Sequence, residues 1–203
     1  MKVEILIASY NNACYLRQCI NSVLTQTYQN FFITFLDDCS TDETSQIIKE
    51  FPQDKIHYFR NDVNMGRGLS RTKLLKMASE EFCCWMDTDD YMMPAKIEKQ
   101  VSYIQSTPSC IFLATEMFDL FRNGVIGLGC NKAQMINDLT LEKLRVSNCI
   151  NHPTVMFRAD IAREIGFHQM KRNEDWDFYI RLYEKGYKVQ AIPELLYVYR
   201  LSI

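Results

Sequence analysis

Phe82-Cys83-Cys84-Trp85-Met86-Asp87-Thr88-Asp89-Asp90 is the most informative stretch of the chain, because it runs an apolar segment straight into three carboxylates. A short apolar run of this kind reads as a buried strand. Other segments repeat the plan. Val3-Glu4-Ile5-Leu6-Ile7-Ala8 leads into Ser9-Tyr10-Asn11, and Phe31 to Leu36 leads into Asp37-Asp38. Ile56 to Phe59 is a third short strand, which makes Phe82 to Met86 the fourth. Helical patterns separate them, and this alternation predicts a mostly parallel sheet covered on both faces. Ligands of such sheets bind beyond the carboxyl ends of the strands, where these polar residues cluster.

Leu16, Ile20, Val23 and Leu24 recur at helical spacing after the first strand. Ser40-Thr41-Asp42-Glu43 reads as a capping box, with Ser40 as cap and Glu43 reaching back, opening a helix that ends before Pro52. Asn64 to Gly68 is a turn, Leu69 to Ala78 a helix, and Pro94 fits the first turn of a helix to about Gln105. Ile111 to Ala114 and Thr154 to Phe157 read as strands, with a short helix capped by Asp160 after the second. Asn123-Gly124 and Gly127 to Gly129 mark turns of a hairpin. Glu174 to Lys185 is a helix closed by Gly186. With no repeat or linker in view, the expectation is one domain over 1–203, a donor half to about residue 108 and an acceptor half from about 109.

Composition narrows the function classes. The chain has 203 residues, 47% of them apolar, and a formal net charge of −2, which points away from nucleic acid as a partner. Its eight cysteines are Cys14, Cys19, Cys39, Cys83, Cys84, Cys110, Cys130 and Cys149. None forms a C-x-x-C pair, which argues against zinc, and they read as reduced thiols of a cytosolic protein. The first residues enter a strand pattern without a leader sequence, and no apolar stretch is long enough to span a bilayer.

The acidic stretch Asp87 to Asp90 has a bland reading, a solvated turn, and a chemical one. Carboxylates so close repel one another unless something compensates. Mg²⁺ or Mn²⁺ would do so, with the rest of its shell from diphosphate and water. Asp37-Asp38 also fits a phospho-receiver domain, but the third strand ends Arg60-Asn61-Asp62 and that reading leaves Asp87 to Asp90 unexplained.

Taken in order, the motifs resemble those of family 2 glycosyltransferases of the GT-A fold, from residue 3 to about 200. Ala8-Ser9-Tyr10-Asn11, Leu24-Thr25-Gln26-Thr27-Tyr28 and Asp37-Asp38-Cys39-Ser40-Thr41-Asp42 are similar to its early elements. Asn64-Met65-Gly66 with Ser70-Arg71, and Asp87-Thr88-Asp89-Asp90, are similar to its central ones. His152-Pro153-Thr154-Val155-Met156-Phe157-Arg158 and Glu174-Asp175-Trp176-Asp177 resemble later segments. The chain departs from the pattern at Cys39, where Gly is usual, and at Thr72, where Asn is common. The pattern also often continues past Tyr199-Arg200 with a metal-site His, whereas this sequence stops at Ile203, so a longer full protein is one expectation.

The resemblance implies a Rossmann-like α/β fold with a smaller mixed sheet on the acceptor side. It implies inverting transfer of a sugar from a nucleotide-diphosphate donor, a UDP-sugar, to an acceptor hydroxyl, in polysaccharide or glycoconjugate synthesis. Asp38 would accept from the pyrimidine base, and Ser9 and Tyr10 would frame base and ribose. Arg71, Asp87 and Asp89 complete the donor site, and Asp90 ligates the divalent cation. Asp175 is the candidate base, although an acidic residue at a helix start is favoured without any catalytic role. His152, Glu174 and Trp176 lie on the acceptor side, and residues from Phe118 to Lys143 shape it. Tyr10 as a core aromatic, Arg71 as a solvated cation and His152 as a core histidine are the plain alternatives. The acceptor would be a glycan or lipid-linked saccharide met in the cytoplasm or at the inner membrane face. A nucleotidyltransferase would carry Gly and Lys after the first strand, where this chain has Ser9 to Ala13. A catalytically silent nucleotide-binding module is the third reading.

Overall fold

The computed structural model describes residues 1–129, 132–170 and 172–201. Its first half is the expected alternation: β1 (Val3–Ser9), α1 (Ala13–Leu24), β2 (Phe31–Asp37), α2 (Thr44–Ile48), β3 (Ile56–Arg60), α3 (Arg67–Met77) and β4 (Phe82–Asp87). Next come β5 (Tyr91–Met92), α4 (Lys96–Ser106), β6 (Phe112–Leu120), β7 (Ile126–Leu128), α5 (Ala133–Asn137) and α6 (Leu141–Val146). A 3₁₀ turn at His152–Thr154 leads to β8 (Met156–Arg158), α7 (Ala159–Ile165), α8 (Glu174–Glu184) and β9 (Gln190–Arg200).

The strands form one sheet in the order β3-β2-β1-β4-β8-β6-β9-β5, with β7 beside β6. From β3 to β4 the pairing is parallel. Beyond β4 it is mixed: β8 runs antiparallel to β4 and β6, while β6 and β9 are parallel. The mixed part therefore continues the parallel part edge to edge. The period-2 alternation of strand side chains sorts residues to opposite faces. Val3, Ile5 and Ile7 of β1 and Cys84 and Met86 of β4 pack with α1, α2 and α4. Leu6, Cys83 and Trp85 pack instead with α3, α7 and α8. Burial pushes the Cys84 thiol up to about 11, as befits a cysteine that serves as core. Cys130 lies outside the described residues.

Local chemistry corrects several expectations. No capping box forms at Ser40: α2 begins at Thr44, whose N–H donates to Asp42 Oδ1 at 3.1 Å. The other Asp42 oxygen accepts from Ala13 N at 2.9 Å, so one carboxylate serves the starts of α1 and α2. Partial burial opposes its ionisation, but these hydrogen bonds and that of Thr44 Oγ1 hold it below the usual carboxylate range. Pro94 stands before α4 rather than within its first turn, and Asp160 lies inside α7, with Arg158 as its cap. Thr154 belongs to the 3₁₀ turn, and Gly127 to β7. Cys39 keeps a left-handed backbone, φ 65°, so the loop that usually carries Gly retains its shape with a side chain in place. Gly68, at the start of α3, has no such latitude: a Cβ there would meet the His168 carbonyl oxygen at 2.7 Å.

Candidate active site

The carboxyl ends of β1, β2 and β4 meet along one edge of the sheet, in register: Ser9 opposite Asp37, and Ala8 opposite Asp87. Two clefts open there and share a wall of Arg67, Arg71, Asp87 and Tyr199. The first, of about 280 Å³, is completed by Ala8, Tyr10, Asn12, Thr88 and Asp89. The second, of about 210 Å³, is completed by the segment Asn148 to Pro153 and by Glu174 and Asp175 at the start of α8.

The shared wall is an ion network. Arg71 is 6% exposed, which excludes the solvated-cation reading, and its guanidinium bridges Glu174 Oε1 at 2.9 Å and Asp87 Oδ1 at 3.1 Å. Burial alone would favour the neutral form, but those carboxylates keep it firmly charged. Asp175 is half-buried. Desolvation raises its carboxyl above the ordinary range, with Arg71 offsetting part of the effect.

At the acidic turn the residues separate into different roles. Asp87 and Asp89 line the first cleft, and burial together with Asp87 pushes the Asp89 carboxyl up. Asp90 is 1% exposed and lines neither cleft. Its Oδ2 accepts from Tyr197 Oη at 2.9 Å and its Oδ1 from Arg200 N at 2.7 Å. Arg200 Nε also donates to the Asp89 carbonyl at 2.7 Å, so the end of β9 straps the turn in place. One donor on each oxygen holds Asp90 in place and leaves about half of its lone-pair sites unused.

Among the described residues no group of three or more His, Cys, Asp or Glu side chains is arranged to hold a metal ion unaided. The pair Asp87 and Asp89 nonetheless fits a hard divalent cation that draws most of its shell from a bound diphosphate and water.

The remaining expected residues fall into three groups. Tyr10 is 47% exposed on the cleft wall and is not a core aromatic. Asp38 is 3% exposed; its oxygens accept from Asn61 Nδ2 (2.6 Å), Met65 N (2.9 Å) and Gly66 N (2.8 Å). That uses three of roughly four lone-pair sites of a carboxylate. Ser9 Oγ is buried without a partner. His152 combines both of its readings: it is 2% exposed, packed against Trp85 and Phe167, yet it lines the second cleft. Burial and Arg71 hold it well below its ordinary pKa, hence neutral, and its Nε2, like Ser9 Oγ, has no partner among the described residues.

Two acceptor-side expectations change. Trp176 lines neither cleft; its Nε1 donates to the Leu144 carbonyl at 2.6 Å and ties α8 to α6. The second cleft is walled by Asn148 to Pro153, whereas Gln134, Met135, Asp138, Leu139 and Lys143 surround a separate hollow. The sequence reading also missed Arg67, Asn61, Tyr197 and Arg200. Tyr197 and Arg200 lie on a strand whose alternation of Tyr and aliphatic residues was visible, had Pro193 not interrupted it.

This sheet order, with carboxylate-bearing strand ends facing paired clefts, is that of the GT-A glycosyltransferases. The chain superposes over its full length on TarS residues 1–349 of S. aureus, crystallised with UDP-GlcNAc, with a TM-score of 0.83 and 24% identity, and it spans 59% of that chain. It also superposes on the mannosyltransferase PcManGT of Pyrobaculum calidifontis, crystallised with GDP-Man and Mn²⁺, with a TM-score of 0.73 and 17% identity, covering 98% of this chain and 56% of that one. The chain belongs to glycosyl transferase family 2, whose profile matches residues 4–164. An uncharacterized glycosyltransferase of Methanocaldococcus jannaschii is 30% identical over 98% of this chain and 70% of its own length. The UDP-Glc:alpha-D-GlcNAc-diphosphoundecaprenol beta-1,3-glucosyltransferase WfaP of Escherichia coli is 27% identical over 93% of this chain and 72% of its own. Among the described residues no helix is long and apolar enough to cross a membrane.

Proposed function

We propose that this glycosyltransferase is an inverting, divalent-cation-dependent enzyme that moves a sugar from a UDP-sugar to a hydroxyl of a glycan or lipid-linked saccharide, at the cytoplasmic membrane face. The observation that carries the reading is the pair of clefts sharing one charged wall, with Asp87 and Asp89 on one side and Asp175 on the other. UDP in TarS structures and the diphosphoundecaprenol acceptor named for WfaP support the donor and acceptor classes.

In this reading Asp38 offers its remaining lone pair to the N–H of the pyrimidine, and Tyr10 covers the nucleoside. Asp87 and Asp89 hold the cation against the diphosphate, while Asp90, fixed by Tyr197 and Arg200, sets the height of the turn. When bound, the cation offsets diphosphate charge and charge building on the leaving group. Arg71 and Glu174 fix Asp87 relative to α8, and so fix Asp175 relative to the donor. Asp175 takes the acceptor proton as the hydroxyl attacks the anomeric carbon. An ordinary carboxyl titrates near about 4. Burial moves Asp175 upward, which makes it a stronger base, yet it stays far more acidic than an alcohol. Proton transfer therefore accompanies C–O bond formation rather than preceding it. Attack from the side opposite the leaving diphosphate inverts the anomeric centre and needs no covalent enzyme intermediate.

The test is a panel of nucleotide sugars with lipid-linked and oligosaccharide acceptors, with Mn²⁺ or Mg²⁺, comparing wild type with Asp175→Asn. Transfer by the wild type that disappears in the variant supports the reading. Metal-dependent UDP binding without transfer to any acceptor would favour a silent nucleotide-binding module.

A further inference from the structure

Arg67 is the first residue of α3, directly after Gly66, whose N–H is held by Asp38. The helix start is thus fixed by the same carboxylate assigned to the base. The side chain is 67% exposed and lines both clefts. Its Nε lies 3.4 Å from Glu174 Oε1, an oxygen that already accepts from Arg71 at 2.9 Å. Among the described residues the terminal nitrogens of Arg67 make no hydrogen bond, whereas each terminal nitrogen of Arg71 donates to a carboxylate, one to Glu174 and one to Asp87. The wall between the clefts therefore carries a buried guanidinium whose two terminal nitrogens are held by carboxylates and an exposed one whose fork is open.

We propose that Arg67 is a catalytic residue that grips the donor diphosphate at the junction of the clefts and stabilises it as the leaving group. The assignment rests on the functional reading above. As the acceptor oxygen bonds to the anomeric carbon and its proton passes to Asp175, the bond from that carbon to the phosphate oxygen breaks. The electron pair stays on the phosphate, so negative charge grows where the two clefts meet. A guanidinium fork matches two phosphate oxygens, and a donor set in place beforehand favours that developing charge. Glu174 lies beside one nitrogen of Arg67 only, which leaves both terminal nitrogens to the ligand.

The test measures affinity for UDP and for uridine at saturating Mn²⁺, together with kcat, in wild type, Arg67→Gln and Arg67→Lys. Wild type should prefer UDP. Arg67→Gln should lose about 10- to 100-fold of UDP affinity, as expected for charge-assisted hydrogen bonds, with uridine affinity and melting temperature unchanged. Arg67→Lys, which keeps the charge but not the fork, should recover part of that loss and part of kcat. An unchanged UDP-to-uridine ratio in Arg67→Gln overturns the assignment alone. A parallel fall for uridine also overturns it, because Arg67 would then act through the shape of the base site. A wild type without preference for UDP overturns the functional reading and this assignment together.

Discussion

The two acidic strand ends look alike in sequence and behave differently in the fold. At the end of β2, Asp37 and Asp38 are buried and nearly saturated: Asp37 by Ser40 N, Tyr58 and Arg60, and Asp38 by Asn61 and the N–H groups of Met65 and Gly66. At the end of β4, Asp90 is also buried, with one protein donor on each oxygen. Asp87 gives one oxygen to Arg71, and Asp87 and Asp89 face the cleft. Carboxylates supplied with protein donors shape loops, as Asp38 does even while one lone-pair site is left for the proposed base contact, and those left short of donors are more widely available to a ligand. The lesson is that an acidic cluster is read by counting its donors, since residue type alone does not separate scaffold from chemistry.

The comparison can be broken in order of effect. Asp175→Asn, which keeps shape and removes the base, should cut transfer by roughly 10²–10⁴-fold while UDP binding and melting temperature stay close to wild type. Full transfer by the folded variant would remove Asp175 from the mechanism. Asp38→Ala strands Asn61 Nδ2 and the Met65 and Gly66 N–H groups, so denaturant melts should show a loss of about 1–3 kcal/mol for each buried group left without a partner. Uridine affinity should fall as well; wild-type stability would mean that the loop does not depend on this carboxylate.

A pH profile sharpens the base assignment. A base at Asp175 would act only when ionised, and its carboxyl is raised by burial, so kcat/KM should fall as pH drops through a limb above the ordinary value of about 4. A limb at or below that value would mean that the free cleft does not desolvate Asp175 enough to raise it. The smallest effect belongs to Trp176→Phe, which loses one hydrogen bond to Leu144 O and should cost roughly 0.5–1.5 kcal/mol of stability, with transfer unchanged in a transfer assay of the folded protein. A selective loss of acceptor affinity would return Trp176 to the acceptor site.

Much of the first half was legible because a doubly covered parallel strand is a nearly continuous apolar run; β1, β2 and β4 are such runs ending in polar residues, broken only by Glu4 and Thr34, which bond to each other. The second half was less so. β9 carries Pro193 in its middle, which argues against a strand. The sheet accommodates it through a shift of register, with Thr115 opposite Ile192 and Glu116 opposite Leu195, so that Pro193 and Glu194 bulge out of the ladder. Missing β9 meant missing Tyr197 and Arg200, and with them the donors that hold Asp90. Trp176 was misplaced for a related reason: a helix start was legible, but the face that its side chains take depends on α6, a helix of six residues with little sequence signature.

The central claim is that Asp87 and Asp89 hold a diphosphate through a cation while Asp90 holds the turn. Calorimetry of UDP binding with Mn²⁺ and with EDTA, on wild type and Asp89→Asn, tests it most directly. The account predicts much tighter binding with Mn²⁺ in the wild type, and a difference that largely vanishes in a folded Asp89→Asn protein. Equal UDP affinity of the wild type in Mn²⁺ and EDTA would contradict it.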